Sequence, residues 1–584
     1  MYKHIKVMTV VCFGFFQVIT AQKKAKDSIK TGTVTVVKAY TPTISDAFKT
    51  KVVPSFNDSI VLQKKKIKYS IFSVPVASTF TPAKGKAATV EKIPPPKLFN
   101  SYASLGFGTF DNALADFYTS RKINKEERLD IGLTHHSARG EIAGIALPNT
   151  FYNSKLELAY SKRDKDLDWG ANVKAQHQLY NWYGVADGTF TDAVIATIDP
   201  QQNYFNATLG GYINVEDSFF KRSEVLVRRF WDATESAENR AVLKADFELP
   251  IADENFTVKT KLDYLGGSFA NANLNLLDNQ PGIDYSQLQF GIAPSITILR
   301  DDLSINLGAN LVYGLDSENS NSNFFIYPAI TASYRLVDET VIAYGGIEGE
   351  LQQNSFYSFV EDNPYVSPTL NITPTDKQYN AYAGIRGQLL PNLSYNVKAS
   401  YTAENRKPLF ILNPQNLFRN DEKGYYYGNS FNVFYDDVKT LGIFGELNID
   451  IKRNFTLGIN AEAYTYNTET DNPAWNLPNI TGSLFMDYQI DKKWFAGANL
   501  FFVGEREDLA TVAAQGIAPE NFSATAITLE SYFDANAHLG YRFNEQLSIF
   551  AKANNITNNN YQRWANFPVQ GFQALLGATY KFDF

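Results

Sequence analysis

The chain ends Gly571-Phe572-Gln573-Ala574-Leu575-Leu576-Gly577-Ala578-Thr579-Tyr580-Lys581-Phe582-Asp583-Phe584, and the period of this stretch decides the fold. In steps of two, Phe572, Ala574, Leu576, Ala578, Tyr580, Phe582 and Phe584 form one apolar-to-aromatic face. Gln573, Thr579, Lys581 and Asp583 lie on the other, with Leu575 and Gly577 among them. Successive side chains of a strand point to opposite faces, so this segment asks for lipid on one side and a polar interior on the other. A strand of that kind ending on an aromatic residue is the closing strand expected of a bacterial outer-membrane β-barrel.

The same alternation runs through the chain from Asn100 onward. Leu303, Ile305, Leu307, Ala309, Leu311 and Tyr313 interleave with Ser304, Asn306, Gly308, Asn310 and Val312. Leu167, Trp169, Ala171, Val173 and Ala175 interleave with Asp168, Gly170, Asn172, Lys174 and Gln176. This is the period-two signature of a strand with one apolar face, and no comparable stretch shows helical periodicity. The pattern predicts strands near 101–110, 113–122, 126–136, 150–162, 167–181, 201–214, 220–232, 238–249, 254–270, 284–298 and 301–315. It continues at 323–336, 339–352, 378–388, 392–404, 429–451, 454–467, 479–490, 493–505, 530–542, 545–555 and 571–584, which makes 22 strands, an even number.

Counted back from Phe584, every second connection is tight, as at Phe543-Asn544, Asp491-Lys492, Lys452-Arg453, Leu389–Pro391, Val337-Asp338 and Leu299-Arg300. The interleaved connections 556–570, 506–529, 468–478, 405–428 and 353–377 are long. Sorting of loop length by parity is the periplasmic–extracellular asymmetry of outer-membrane barrels, with short turns on the side of the termini. Soluble sandwiches and propellers have no reason to show it. The expected fold class is all-β: a large transmembrane antiparallel barrel of about 22 strands, preceded by an extended N-terminal arm.

The ends and the charge agree with that reading. Lys3 and Lys6 precede the mostly apolar run Val7–Thr20, and Ala21 is a suitable last residue before cleavage, so residues 1–21 read as a signal peptide. The single cysteine, Cys12, falls inside it, which excludes disulfides, thiolate metal sites and cysteine nucleophiles from the mature chain. Residues 22–99 hold fifteen lysines against Asp27, Asp46, Asp58 and Glu91, a net of +11. They include Pro94-Pro95-Pro96, a stiff spacer, and read as an extended arm. The whole chain is −7, so residues 100–584 carry about −20 once Lys3, Lys6 and the arm are set aside.

Over about its last thirty residues the chain resembles TonB-dependent receptors of the Bacteroidota type. The matching stretch is Asn554-Asn555-Ile556-Thr557-Asn558-Asn559-Asn560-Tyr561-Gln562, then Phe567-Pro568-Val569-Gln570-Gly571, then the final strand. The resemblance implies a 22-strand barrel, and it implies that Tyr580, Phe582 and Phe584 carry the C-terminal signal read by the barrel assembly machinery. It also implies a folded N-terminal plug of well over a hundred residues in the lumen. Here only the 78 residues 22–99 stand between leader and barrel. Thr33-Val34-Thr35-Val36-Val37 resembles the short energy-coupling box that precedes such a plug. Twenty-two tilted strands about 4.8 Å apart enclose a lumen on the order of 40 Å across. Three things could fill it: the basic arm, inward-folded loops, or a partner protein.

Catalytic and cofactor chemistry finds no support in the residues. The mature histidines are His135, His136, His177 and His538. Neighbours on a strand face opposite sides, so His135 and His136 cannot share a metal. His177 and Asp187 have no spacing that singles them out as a hydrolase pair, and no Gly-rich phosphate loop opens a helix. The expectation is a non-enzymatic protein with no cofactor, no metal and no nucleic-acid partner. Tyr425, Tyr426, Tyr427, Trp475, Tyr561 and Trp564 fall in or beside long loops, where aromatics anchor partners or ligands or belong to the aromatic girdle. Trp169, Phe495, Tyr580 and Phe582 read as interface or strand residues. Two function classes follow. One is a receptor-like barrel without a normal plug, serving as scaffold or accessory subunit of an outer-membrane assembly. The other is a TonB-dependent importer of a glycan, peptide or chelate with a reduced plug. Outer-membrane lipid and envelope proteins, a surface lipoprotein or TonB, are the expected partners.

Overall fold

The computed structural model describes residues 97–140, 142–251, 254–270, 282–414, 423–512 and 523–584. The expected leader, most of the expected arm (22–96 of 22–99) and Thr33–Val37 lie outside the described residues. Strands β1 to β8 span Ser101–Gly108, Ala113–Lys122, Glu127–Ala138, Phe151–Arg163, Leu167–Asn181, Gln201–Val215, Phe220–Asp232 and Ala237–Ile251. Strands β9 to β16 span Glu254–Phe269, Ile283–Arg300, Leu303–Asp316, Asn321–Val337, Val341–Gln352, Thr375–Leu390, Leu393–Leu412 and Phe431–Lys452. Then come β17 (Phe455–Thr468), β18 (Ile480–Gln489), β19 (Trp494–Val503), β20 (Arg506–Val512), β21 (Ser523–Leu529) and β22 (Tyr532–Arg542). The last are β23 (Leu547–Asn554), β24 (Gln562–Trp564), β25 (Phe567–Pro568) and β26 (Gln573–Phe582). Two short helices, α1 (Asp192–Ile195) and α2 (Phe356–Asp362), lie in loops.

Twenty-two of these strands form one antiparallel sheet, which closes where β26 pairs with β1. β20–β21 and β24–β25 are separate hairpins outside it. Closure leaves no sheet edge, so the wall's backbone groups are paired within the chain, as a hydrocarbon surround demands. Each of the 22 wall strands falls where the alternation placed it. The largest difference is β15, expected to end near 404, which runs on to Leu412 past a register shift between Glu404 and Lys407.

Alternation sorts the side chains as the last strand requires. Leu576 is 70% exposed on the outer face, whereas Thr579 is 1% exposed and hydrogen-bonded to Ser104 at 2.9 Å on the inner one. The outer face continues around the wall through register partners such as Leu133↔Leu156, Leu209↔Val227, Phe290↔Tyr313 and Leu311↔Ile326. An arginine on a lipid-facing wall costs about 2–4 kcal/mol at mid-depth. Leu209→Arg, midway along β6, should therefore lower the fraction of folded barrel in detergent refolding by that amount, while Lys174→Arg on the inner face should leave it unchanged.

Ten connections, including β2–β3, β10–β11 and β16–β17, take two to four residues, and they lie at the end where Lys97 meets Asp583. At the opposite end eight of eleven connections have eleven residues or more; β1–β2, β7–β8 and β11–β12 keep four. The parity rule holds with those three exceptions.

Candidate functional site

The long-loop end is where the chain departs from a plain wall. The loops 182–200, 353–374 and 413–430 and the 555–572 segment all contribute to one buried apolar cluster with the upper inner wall. Its centre is Phe567, 1% exposed, whose ring stacks on Tyr365 at 4.0 Å and meets Tyr183 at 4.9 Å and Phe431 at 5.8 Å. Three of these rings come from three different connections around the barrel and Phe431 opens β16 on the wall, so their contact reaches across the mouth. Polar groups fix the register: Tyr183 donates to the Pro568 carbonyl at 2.9 Å, and the Asn429 amide donates to the carbonyls of Trp182 at 2.5 Å and Gly424 at 2.8 Å. A Cβ at Gly424 would run into the Asp199 carbonyl oxygen, and one at Gly184 would lie 2.5 Å from the Phe567 ring. Glycine lets the backbones of Gly424 and Asp199 approach each other and lets the Phe567 ring lie against Gly184.

Helix α2 ties this cap to the wall. Ser355 and Ser358 form a reciprocal capping box at its start. The remaining N-terminal donors turn to Glu238 of β8, whose carboxylate accepts from the Phe356 N–H at 2.6 Å and the Tyr357 N–H at 3.5 Å. Tyr285 donates to the same carboxylate at 3.0 Å, and Arg228 lies 3.6 Å away with its guanidinium 3.8 Å above the Tyr357 ring. Glu238 is 1% exposed. A buried carboxylate held by two backbone N–H groups, a hydroxyl and an arginine satisfies the demand that buried charge be paired. Phe356 then packs edge-on against Phe230 at 5.1 Å and Phe269 at 5.0 Å. The sequence carries one trace of this, the Ser355-x-x-Ser358 spacing before an aromatic run, which the strand-dominated pattern obscured.

The hairpin β20–β21 flanks the cap. Arg506 donates to the carbonyls of Arg563 at 2.9 Å and Gln562 at 2.8 Å, joining it to β24. Asp508 is wholly buried and accepts from the Leu412 and Leu509 N–H groups at 3.0 and 2.7 Å. Burial pushes its carboxyl up to about 6, against those hydrogen bonds, one from Asn476 and the charge of Arg506. A folded-state value above the ordinary one means the contribution is complete below about pH 4 and is lost as pH rises through 6. A shift of roughly two units is worth about 3 kcal/mol. The cap should melt at lower temperature at pH 7 than at pH 4.5, followed by the fluorescence of the neighbouring Trp475, and Asp508→Asn should abolish that difference.

The aromatic residues expected at this end are all found there, but the structure does not gather them into one exposed surface. Tyr425, Tyr426 and Tyr427 are buried in the cap cluster, and Trp564 packs against it at 5.3 Å from Phe410. Trp475 is buried in a separate cluster with Leu409 and Val438, and Tyr561 stacks on Tyr532 at 3.9 Å. Tyr580 is exposed on the outer wall and Phe582 stacks beside it at 5.9 Å, with Phe584 5.0 Å beyond. His135 faces outward, bonded to Ser154 at 2.7 Å, while His136 occupies the inner face opposite Leu114. His177 is held on the outer wall by Asn203 at 3.0 Å, and Asp187 belongs to the cap loop 182–200, so the two are not brought together. Among the described residues no group of three or more His, Asp or Glu could hold a metal.

The lumen wall carries both signs of charge. From β3 to β9 inward carboxylates pair with inward cations: Asp130 with Arg128 at 2.8 Å, Glu157 with Lys174 at 3.1 Å, and Asp263 with Arg240 at 2.7 Å and Lys261 at 2.9 Å. On β16 and β17, by contrast, Glu446 accepts from Asn448 and Glu462 from Tyr464.

Comparison with known proteins accords with this architecture. The family described as TonB dependent receptor-like, beta-barrel, matches residues 98–556. No curated protein matches. Among solved structures, the ferripyoverdine receptor of the outer membrane of Pseudomonas aeruginosa, bound to ferripyoverdine, is similar at 14% identity, with 84% of this chain and 72% of that chain covered and a TM-score of 0.59. The siderophore receptor PirA from Acinetobacter baumannii is similar at 11% identity, covering 83% and 81%, with a TM-score of 0.62. The FpvAI–pyocin S2 complex gives 12% identity, 83% and 73%, and 0.60. At such identities the similarity speaks for the fold alone.

Proposed function

The chain belongs to the TonB-dependent receptor-like β-barrel family, an outer-membrane β-barrel class, and from that premise we propose that it serves as a non-enzymatic scaffold or accessory barrel of an outer-membrane assembly. The observation that carries this reading is the packed core of the cap. Three loops meet through the rings of Phe567, Tyr365 and Tyr183 against Phe431 at the start of β16, and they offer partners a shaped outer surface. In this reading the termini and short turns are periplasmic, the capped loops are extracellular, and a surface lipoprotein or another envelope protein docks on the cap. In this reading the cap takes over the task of closing the pore.

Isolation of the full chain in mild detergent tests it. A stoichiometric complex with other envelope proteins is expected, and purification of the barrel alone, from cells indifferent to its loss, would contradict the proposal. A second reading is supported by the fold it shares with siderophore receptors, namely an importer whose cap opens on demand through Thr33–Val37 and TonB. Deleting residues 33–37 would abolish uptake of a glycan, peptide or chelate under that reading and leave the scaffold role intact.

A further inference from the structure

We propose that the outer wall over β3–β8 is a binding site for a phosphorylated lipid headgroup of the outer leaflet. One register row, His135↔Ser154↔His177↔Phe205↔Trp231, crosses five strands near the long-loop end. It shares its face with the exposed residues Leu156, Val173, Leu209 and Val227, so it points away from the lumen. The rings form a continuous ladder: Tyr152 meets His177 at 5.0 Å, His177 stacks on Phe205 at 4.5 Å, and Phe205 stacks on Trp231 at 5.5 Å. Ser154 and Asn203 keep the imidazoles hydrogen-bonded, at 2.7 and 3.0 Å. Aromatic rings with polar edges are the residues of a membrane–water boundary, so this row marks the headgroup level.

One charge on this boundary has no opposite. Arg229 is exposed, lies 5.9 Å over the Trp231 ring and donates to the Asn239 side chain at 3.1 Å. Among the described outward residues of β3–β8 the carboxylate is Glu127, which sits at the opposite rim and pairs with Lys162 at 3.1 Å. Arg229 shares its register row with Ala207, and Ala207 with Ala175. Small side chains thus flank the guanidinium on its own row, between the ring ladder and the exposed apolar row Val173↔Leu209↔Val227. A guanidinium fork beside an exposed apolar row fits one occupant best: a phosphate group, bidentate to the arginine, whose acyl chains lie along the wall.

The test reconstitutes the full chain in phosphatidylcholine nanodiscs containing a minor fraction of phosphatidic acid, and then measures the lipids retained on transfer to detergent by native mass spectrometry. Phosphatidic acid should be enriched several-fold over its share of the disc. Arg229→Gln should abolish the enrichment, Trp231→Leu should weaken it, and Lys162→Gln at the far rim should not change it. Excess inorganic phosphate should fail to displace the lipid. Equal enrichment on wild type and Arg229→Gln, or displacement by free phosphate, would overturn the proposal. So would an envelope protein whose association depends on Arg229 while phosphatidic acid shows no enrichment.

Discussion

Replacing Glu238 by alanine should free helix α2 from the barrel wall. The carboxylate is the common partner of the Phe356 and Tyr357 N–H groups, the Tyr285 hydroxyl and Arg228. Its loss leaves two backbone donors at a buried helix start and an arginine, 11% exposed, without its counter-charge. Breaking a buried pair by removing one partner costs about 3–5 kcal/mol. The docked helix should then open roughly a hundred- to a few-thousand-fold more often, at 1.4 kcal/mol per decade. Hydrogen exchange of the amides of 356–362 should speed up by that factor, with exchange in mid-wall strands such as β11 unchanged. Glu238→Gln keeps the shape and an acceptor but loses the charge, and should fall between. Unaltered exchange in Glu238→Ala would mean that the aromatic contacts of Phe356 hold the helix unaided.

The second large effect is expected at Phe567. Truncating a buried phenylalanine costs about 3–5 kcal/mol through lost transfer energy and the cavity left behind. Phe567→Ala removes the ring on which Tyr365, Tyr183 and Phe431 converge. Collapse into the gap is limited, because the loops already touch backbone to backbone at Gly424 and Asp199. The cap should lose its cooperative melting transition by tryptophan fluorescence while the barrel stays folded, seen as retained resistance to detergent at room temperature. Phe107→Ala on the outer wall, where the ring is 69% exposed, should leave the cap transition in place.

The wall was legible in the sequence and the cap was not, for a physical reason. Each wall strand repeats every two residues and pairs with a neighbour close in sequence, so Leu303–Tyr313 or Phe572–Phe584 declares its faces locally. The tight turns are local too: Asp301 and Asp338 adopt positive φ of 44° and 40°, a conformation aspartate tolerates better than most residues. The cap rests on contacts with no period. Trp182 meets Tyr425 at 5.1 Å and Tyr183 meets Phe567 at 4.9 Å across more than two hundred residues of chain. For that reason the aromatics of the long loops read as exposed anchors, whereas Tyr425–Tyr427 and Trp475 are buried. The hairpin β20–β21 was hidden inside what read as one loop, 506–529. Glu238 looked like one more inward carboxylate of an alternating strand, and only α2, distant in sequence, gives it its role.

The central claim is that the barrel's own loops close its outer mouth, and cysteine accessibility in intact cells tests it most directly. The chain's single cysteine lies at position 12, in the expected leader, so an introduced thiol is a clean reporter. Ser400→Cys places one on the inner wall, in register with Tyr382 and Gly442. Glu318→Cys places one in the exposed β11–β12 turn at the long-loop end. A bulky, membrane-impermeant maleimide added outside the cell should label Glu318→Cys and leave Ser400→Cys unmodified until Glu238→Ala or Phe567→Ala is introduced alongside it. Labelling of Ser400→Cys from outside as fast as Glu318→Cys, with the cap residues intact, would contradict the account.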